Sequence, residues 1–259
     1  MQLILPNVEH RFCARHMYAN WKKENSGHDM QQLFWACCKA TTEAEFHKHS
    51  ARMATLKDTA LSSLLKRDPK HWSKAFFRTN SKCDAVDNNF REAFNSVIIS
   101  ARYKSIISLF EGIRHYVMNR NLAHKHKCQK WEGLLCPKIA KLVENHKAAS
   151  AYCHVTWNGQ NGFEVYCNGN TFVVDLQGHK CTCRYWDLTG IPCSHSICVI
   201  LFNYEPLERY VDEEYRKENY QSLYHYALPT IPSEAFWKDT KMVPLEPPVK
   251  RKLPGRPKQ

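Results

Sequence analysis

Residues 181–195 have the sequence CTCRYWDLTGIPCSH, and this stretch decides the fold of the segment around it. Its cysteines and histidine follow the spacing C-x-C-x9-C-x-H, which gives four candidate metal ligands: Cys181, Cys183, Cys193 and His195. Three thiolates and one imidazole favour a closed tetrahedral Zn²⁺ site, because these donors are soft or borderline and leave no position for water. The spacing therefore predicts a structural zinc site.

The sequence on either side predicts the elements that hold these ligands. C-x-C is too short for the usual C-x2-C knuckle, so we expect the first pair on an extended segment. The second pair follows Pro192 and precedes the apolar run 197–202, which fits the opening of a buried helix. Upstream, the segments 163–167 and 171–176 flank the turn residues 168–170 and predict a β-hairpin. Together they predict a small β-β-α metal module.

This segment resembles the SWIM zinc finger, and its four ligand positions fall on Cys181, Cys183, Cys193 and His195. The plant form of that finger is especially similar, through Trp186 and the sequence GIPC at 190–193. The resemblance implies a relative of Mutator-like element transposases, or of the far-red-impaired-response regulators derived from them. The alternative is four reduced residues that bind nothing. We expect zinc binding because spacing, hairpin and helix signals agree independently.

Composition predicts a folded, reduced and soluble protein. The 259 residues are 43% apolar, enough for two compact domains with buried cores. The chain has twelve cysteines but no apolar signal region after its first residues, so metal-bound and free thiols in a reducing compartment are expected. No apolar stretch approaches the roughly 20 residues that span a bilayer, and we expect no membrane partner.

The net charge of +12 predicts a polyanionic partner, although a solvated basic face explains it equally well. The tail VKRKLPGRPKQ, residues 249–259, contains no acidic residue and is expected to be extended and disordered. Its GRPK at 255–258 resembles the core of an AT-hook, with Pro254 where that motif has arginine. The candidate DNA contacts are Lys250, Arg251, Lys252, Arg256 and Lys258. Residues 250–252 fit a nuclear import signal as well as DNA contact, so we expect a nuclear protein.

The chain before the finger is predicted to be helical from about residue 28 to residue 147. Thr42 and Glu45 form a capping box at one helix start. Apolar residues between 94 and 117 recur every three to four positions and predict one amphipathic helix, or two with an irregularity at 102–105. The expected fold class is therefore α+β, with a helical N-terminal part followed by the β-β-α finger.

Two further segments extend the resemblance to Mutator-like transposases over nearly the whole chain. EHRFCARHMYAN, residues 9–20, is similar to the segment after the family's second catalytic aspartate and contains its C-x2-H as Cys13 and His16. NNFREAFNSVIISAR, residues 88–102, is similar to the block with the third catalytic acid, which falls on Glu92. The resemblance implies a partial RNase H-like core without the first two aspartates. One carboxylate cannot hold two Mg²⁺ ions, so we expect no enzyme activity and a vestigial Glu92.

A second group of histidines and cysteines follows the predicted helices. His124, His126 and Cys128 give an H-x-H-x-C pattern, with Cys136 further along the chain. The group lies in a polar, lysine-rich stretch that is typical of a linker. We expect no zinc site there.

These observations predict five regions and two functions. The function expected first is zinc and DNA binding by a catalytically inactive relative of a transposase. The alternative is a nuclear transcription regulator that uses the finger to bind proteins. The predicted regions are a partial transposase-like helical domain at 1–125, a linker at 126–150, the finger at 151–205, a tyrosine-rich helical extension at 206–240 and the basic tail at 241–259.

Overall fold

The fold is known from a computed structural model, which describes residues 8–238 and residue 241. A helical N-terminal region is followed by a small antiparallel sheet with helices beside it, which confirms the predicted α+β class. The predicted basic tail lies outside the described residues. The elements are α1 (Ala14–Trp21), α2 (His28–Lys39), α3 (Glu43–Leu65), α4 (Asn89–Val97), α5 (Ile106–Gln129), α6 (Pro137–Ser150), β1 (Cys153–Trp157), β2 (Phe163–Cys167), β3 (Asn170–Asp175), β4 (Lys180–Cys181), α7 (Tyr185–Thr189), α8 (Ser194–Phe202) and α9 (Lys217–Leu223).

The described chain divides into two compact units. The first contains residues 8–88 and 137–215, and therefore both the N-terminal helices and the finger. The second contains residues 89–136 and the described residues from 216 to 238. The five regions predicted from the sequence stay a prediction.

Helices α1 to α3 of the first unit enclose an aromatic core. Phe34 and Trp72 are fully buried, and their rings stack with centroids 6.5 Å apart. The indole of Trp21 donates to the carbonyl of Ala60 at 3.1 Å, so this core ring has its polar atom satisfied. Burial of such rings supplies most of the stabilisation of a small helical core.

The predicted capping box at the start of α3 is present in part. The Thr42 hydroxyl accepts from the backbone N–H of Glu45 at 3.2 Å, as the motif requires. The Glu45 carboxylate accepts instead from the N–H of Thr41 at 3.0 Å, one residue before the motif's partner. Both side chains of the motif therefore accept a backbone N–H at the helix start, but Glu45 accepts from Thr41 rather than from Thr42.

The finger is built on a four-stranded antiparallel sheet in the order β1-β2-β3-β4. Its central hairpin joins β2 to β3 through Asn168 and Gly169, whose φ angles of 49° and 80° are those of a type I′ turn. This confirms the predicted hairpin. The sheet is larger than the two predicted strands, because β1 pairs with β2 and the short β4 pairs with the end of β3.

Helix α8 packs against this sheet on one side and against α6 on the other. Helix α6 covers residues that the sequence analysis places in a linker. The imidazole Nδ1 of His146 on α6 donates to the carbonyl of Pro192 at 2.9 Å, directly before the second ligand pair. A lysine-rich helix thus contributes to the finger through this bond. Its sequence resembles a linker because its apolar residues are few and its polar face is exposed.

The second unit contains α4, α5 and α9. The sequence pattern between residues 94 and 117 is compatible with one helix or with two. The structure has two, α4 and α5, and a 3₁₀ turn at Ala101–Tyr103 separates them. Ser105 caps α5, accepting from the N–H of Ser108 at 3.4 Å. Tyr220 of α9 packs against Trp131, with ring centroids 4.6 Å apart. No helix in the described part of the chain combines the length and hydropathy that crossing a bilayer requires.

Candidate metal centre

The first ligand pair lies at the end of β4. Cys181 pairs across the sheet with Val174, and its backbone N–H donates to Asp187 Oδ2 at 3.1 Å. Thr182 bonds with Val173 through its N–H and its hydroxyl, each bond 3.0 Å long, which holds the first residue after β4 against β3. The chain then turns: the N–H of Arg184 donates to the carbonyl of Cys181 at 2.7 Å, so Cys183 lies in a tight turn rather than on the extended segment that the sequence predicts. The turn brings Cys183 back beside Cys181, which explains the short C-x-C spacing.

The second pair lies at the start of α8, as the sequence predicts. Cys193 is the N-cap residue, and its Sγ accepts from the N–H of Ser196 at 3.4 Å. His195 follows in the first turn. The approach to this turn passes through Gly190, where φ is 71° and an added Cβ would come within 2.6 Å of the Asp212 side chain. Glycine is therefore required there by both conformation and space.

The structure brings all four predicted ligands together. One donor atom from each of Cys181, Cys183, Cys193 and His195 lies within 4.8 Å of every other. His195 Nδ1 is 3.7 Å from the Sγ of Cys181 and 3.7 Å from the Sγ of Cys193. Tetrahedral zinc, with Zn–S near 2.3 Å and Zn–N near 2.05 Å, places nitrogen and sulfur about 3.6 Å apart. The observed separations fit such an ion.

Burial and stacking hold this cluster. Cys181 and Cys193 are buried, while Cys183 and His195 are partly exposed. The His195 ring stacks on Phe172 of β3, with centroids 3.8 Å apart and planes 16° apart. A fixed imidazole in a mostly buried, three-thiol cluster is typical of a structural rather than a catalytic zinc site.

Hydrogen bonds among the three thiols shift their pKa values. Cys193 accepts hydrogen bonds from the other two thiols, first from Cys181, which holds its pKa well below the ordinary value. Hydrogen bonding to Cys181 and Cys193 raises the pKa of Cys183. For Cys181, a hydrogen bond from Cys183 lowers the pKa, but its bond to Cys193 and burial outweigh this and raise the pKa to about 12. The Cys193 thiol is therefore expected to lose its proton before the other two.

Arg184 connects the ligands to the N-terminal helices and was not predicted. It follows Cys183 directly and has the left-handed φ of 60°. Its guanidinium donates to the carbonyls of Thr41 and Phe77, each at 2.9 Å, and to that of Ala75. No local sequence pattern indicates this role, because the acceptors lie more than 100 positions away.

Two other cysteines approach the same histidine. Cys153 of β1 and Cys167 of β2 are buried, and their Sγ atoms lie within 4.8 Å of a ring nitrogen of His195. Burial, followed by a hydrogen bond with Cys167, raises the pKa of Cys153 to about 12. Sequence analysis missed this pair because the two residues meet only through strand register.

Of the remaining predicted site residues, those that the structure describes are not members of this cluster. Glu92 is exposed in the first turn of α4. His124 and Cys128 lie on α5 of the second unit, and Cys136 follows that helix. The candidate DNA contacts Lys250, Arg251, Lys252, Arg256 and Lys258 lie outside the described residues.

Comparison with known proteins identifies one segment. Residues 163–203 match the family model of the SWIM zinc finger. The match begins with β2 and ends just after α8, so it contains all four clustered ligands. No curated protein and no solved structure matches the chain. The match supports a chain that contains a SWIM-type segment, and the Cys and His cluster within that segment suits a metal ion.

Proposed function

We propose that the chain binds one structural Zn²⁺ through Cys181, Cys183, Cys193 and His195. The observation that carries this proposal is the separation of 3.7 Å between His195 Nδ1 and two cysteine sulfurs, which suits tetrahedral zinc. Bound zinc would cross-link the end of β4 to the start of α8. With four protein ligands, the ion has no open position at which to activate water.

Cobalt substitution tests the ligand set directly. Co²⁺ adopts the same geometry as zinc and gives visible absorption bands that distinguish tetrahedral thiolate ligation. We expect these bands in the full chain, and we expect Cys183→Ser to weaken them. Cys83→Ser, which changes an exposed thiol outside the cluster, is the matched control. Octahedral bands, or unchanged bands in Cys183→Ser, would contradict the proposal.

The zinc-supported chain is further proposed to bind DNA in the nucleus, as a non-catalytic relative of Mutator-like transposases. The net charge of +12 and the basic tail support DNA as the partner. A second basic region supports it too: the C-terminal half of α5 exposes Arg120, Lys125 and Lys127, and the residue that caps its end, Lys130, is exposed as well. The SWIM match and the two segments similar to the transposases support the origin.

Salt dependence tests the electrostatic part of this proposal. Three to five phosphate contacts through the tail give a slope of log affinity against log salt of roughly −3 to −5. Deleting residues 249–259 should flatten that slope in fluorescence anisotropy on A·T-rich duplexes and leave the zinc content unchanged. A second variant combines this deletion with Lys125→Gln, Lys127→Gln and Lys130→Gln. Comparing the two variants separates the contribution of the tail to DNA affinity from that of the α5 region. Unchanged affinity and slope after tail deletion would favour the import-signal interpretation of residues 250–252.

The proposal includes no catalytic step. Of the three acids that the transposase resemblance implies, this sequence contains only Glu92. A single exposed carboxylate does not hold two Mg²⁺ ions at the spacing that phosphoryl transfer requires. Metal-dependent DNA cleavage that disappears in Glu92→Gln would contradict this proposal.

A protein-binding regulator is the second candidate, and the outer face of the sheet supports it. Tyr166 and Val173 lie on that face, and each has about half of its surface exposed: 54% and 50%. Exposed apolar residues on a strand face are typical of protein contact sites. Retention of a nuclear protein partner by the full chain, lost in Tyr166→Ser with DNA affinity unchanged, would favour this function over DNA binding.

A further inference from the structure

Two buried cysteines face each other across the first two strands of the finger. Cys153 and Cys167 are directly opposite in the antiparallel β1–β2 register, at the end rung of that ladder. Directly opposed residues in such a ladder have Cα atoms about 4.5 to 5.5 Å apart. Disulfides form at Cα separations of about 4.4 to 6.8 Å. The strand register alone therefore gives this pair a backbone geometry that a disulfide accepts.

The side chains turn toward each other as well. The thiol of Cys153 donates to the Sγ of Cys167, with the two sulfurs 2.7 Å apart. Two thiolates on one tetrahedral zinc ion, each about 2.3 Å from the metal, would lie about 3.8 Å apart. The pair is therefore too close to share a zinc ion in this arrangement, although His195 lies nearby. Direct bonding between the sulfurs is the chemistry that fits.

We propose that Cys153 and Cys167 are a redox-active dithiol, which a small-molecule disulfide such as oxidised glutathione converts into an intramolecular disulfide linking β1 to β2. The zinc ligands are not part of this reaction. The finger thus has two cross-links at different places: a metal that joins β4 to α8, and a reversible covalent bond that joins β1 to β2.

The reaction is a double thiol–disulfide exchange. One cysteine thiolate attacks a sulfur of oxidised glutathione, forms a mixed disulfide and releases one glutathione thiolate. The second cysteine thiolate then attacks the protein sulfur of the mixed disulfide and releases the other glutathione thiolate. Both cysteine protons pass to the two released thiolates. The protein loses two electrons and two protons, and one oxidised glutathione becomes two reduced molecules.

The position of the pair provides access for this reagent. Both thiols are buried, at 7% and 4% exposure, but the end rung of a ladder opens more easily than its centre. Tyr152, directly before Cys153, is 76% exposed, and Asn168 directly after Cys167 begins an exposed turn. Opening of this rung exposes both sulfurs without disturbing the β3–β4 end of the sheet.

A third thiol lies beside the pair and makes the assignment testable. The Sγ of Cys198 on α8 donates to the carbonyl of Cys153 at 3.4 Å. That thiol faces the backbone rather than the neighbouring sulfurs. Oxidation should therefore give the Cys153–Cys167 linkage first, with Cys198 still free to react with an alkylating reagent.

The experiment uses the full zinc-loaded chain in buffers with a rising ratio of oxidised to reduced glutathione. After alkylation with N-ethylmaleimide and proteolysis, mass spectrometry should find one peptide pair joined through Cys153 and Cys167, two hydrogen atoms lighter than the thiols. Zinc per chain should not change. Cys167→Ser should lose the linked peptides, whereas Cys83→Ser, which removes an exposed thiol outside the finger, should keep them.

A second measurement on the unsubstituted chain keeps the test independent of how well a variant folds. In the zinc-loaded chain, the oxidised form should unfold at a higher temperature than the reduced form, and dithiothreitol should abolish the difference. Full alkylation of both cysteines at every glutathione ratio would overturn the proposal. So would mixed disulfides that never close, or linkage of Cys181, Cys183 or Cys193 accompanied by zinc loss.

Discussion

Two stretches of this chain, residues 181–195 and 124–136, contain several histidines and cysteines, and only the first of these two brings four candidate metal ligands together. In the finger, donor atoms of four residues from two ends of the segment lie within 4.8 Å of one another. In the second unit, the side chains of the 124–136 stretch bond to other neighbours. His124 shares a hydrogen bond of 2.6 Å with the Tyr220 hydroxyl, and the Cys128 thiol donates to the carbonyl of Lys125.

The difference lies in what one intervening residue does in each backbone conformation. Cys181 ends β4 and Cys183 lies in the turn that follows, which is closed by a hydrogen bond of 2.7 Å from the N–H of Arg184 to the carbonyl of Cys181. His124 and His126 have the same separation on helix α5, where residues two apart point to different sides. The same spacing therefore brings candidate ligands together in a tight turn and separates them on a helix.

Removing one ligand should have the largest effect. Cys193→Ser should take the zinc content from one per chain to none and unfold the finger, because structural zinc contributes on the order of 10 kcal/mol in apparent binding free energy. Metal analysis and circular dichroism measure both changes. Cys128→Ser, a buried cysteine of the other stretch, is the matched control and should keep its zinc. Equal zinc loss in the two variants would remove the distinction between the stretches.

Arg184 tests whether the cluster depends on the helices that its guanidinium contacts. Arg184→Gln should lower the free energy of unfolding by about 3 kcal/mol, because buried carbonyls lose charged hydrogen-bond donors. Urea unfolding with zinc present measures this change, and zinc should stay at one per chain. Arg209→Gln, whose ion pair with Glu205 is on the surface, should change stability by less than about 0.5 kcal/mol. Loss of zinc in Arg184→Gln would mean that the guanidinium positions Cys183.

Zinc affinity should fall as the pH falls. The pKa values of Cys181, at about 12, and of Cys183 are raised in the metal-free cluster, while that of Cys193 is lowered. Zinc binding near neutral pH must therefore displace at least the protons of Cys181 and Cys183, and affinity should drop at least about 100-fold from pH 8 to pH 7. Competition with a chelator of known affinity measures this slope. A slope of three log units would mean that Cys193 also has a proton before the metal binds.

The smallest effect on stability is expected for a change at Tyr220, which contacts the 124–136 stretch through His124. Tyr220→Phe removes the hydroxyl that bonds to His124 and should cost about 1 kcal/mol of stability in the second unit. Zinc content and the cobalt spectrum should not change. Tyr226→Phe, which changes an exposed ring of the same unit, serves as its control. A spectral change in Tyr220→Phe would show that His124 contributes to metal binding.

The four ligands, the β2–β3 hairpin and the start of α8 could be predicted because their signals are local. Spacing, the Asn168-Gly169 turn and the apolar run after His195 all lie within one short segment. Strands β1 and β4, the Cys153–Cys167 pair and the contacts of Arg184 could not be predicted, because each depends on residues brought together by the fold. Helix α6 lies mostly within the stretch predicted to be helical, which ends at about residue 147, but the same residues were also assigned to a linker, because lysines are typical of a linker as well as of an exposed helix face.

The start of α8 has a further consequence for the chain when metal is lost. Cys193 is both a candidate ligand and the N-cap of this helix, so a bound ion and the helix start would share one sulfur. The residues that follow, ICVILF at 197–202, contain no charge and no proline. Short segments of this composition form intermolecular β-sheets when they are exposed. Bound zinc would therefore also protect the chain from aggregation, and we expect metal depletion to give insoluble protein rather than a reversibly unfolded finger.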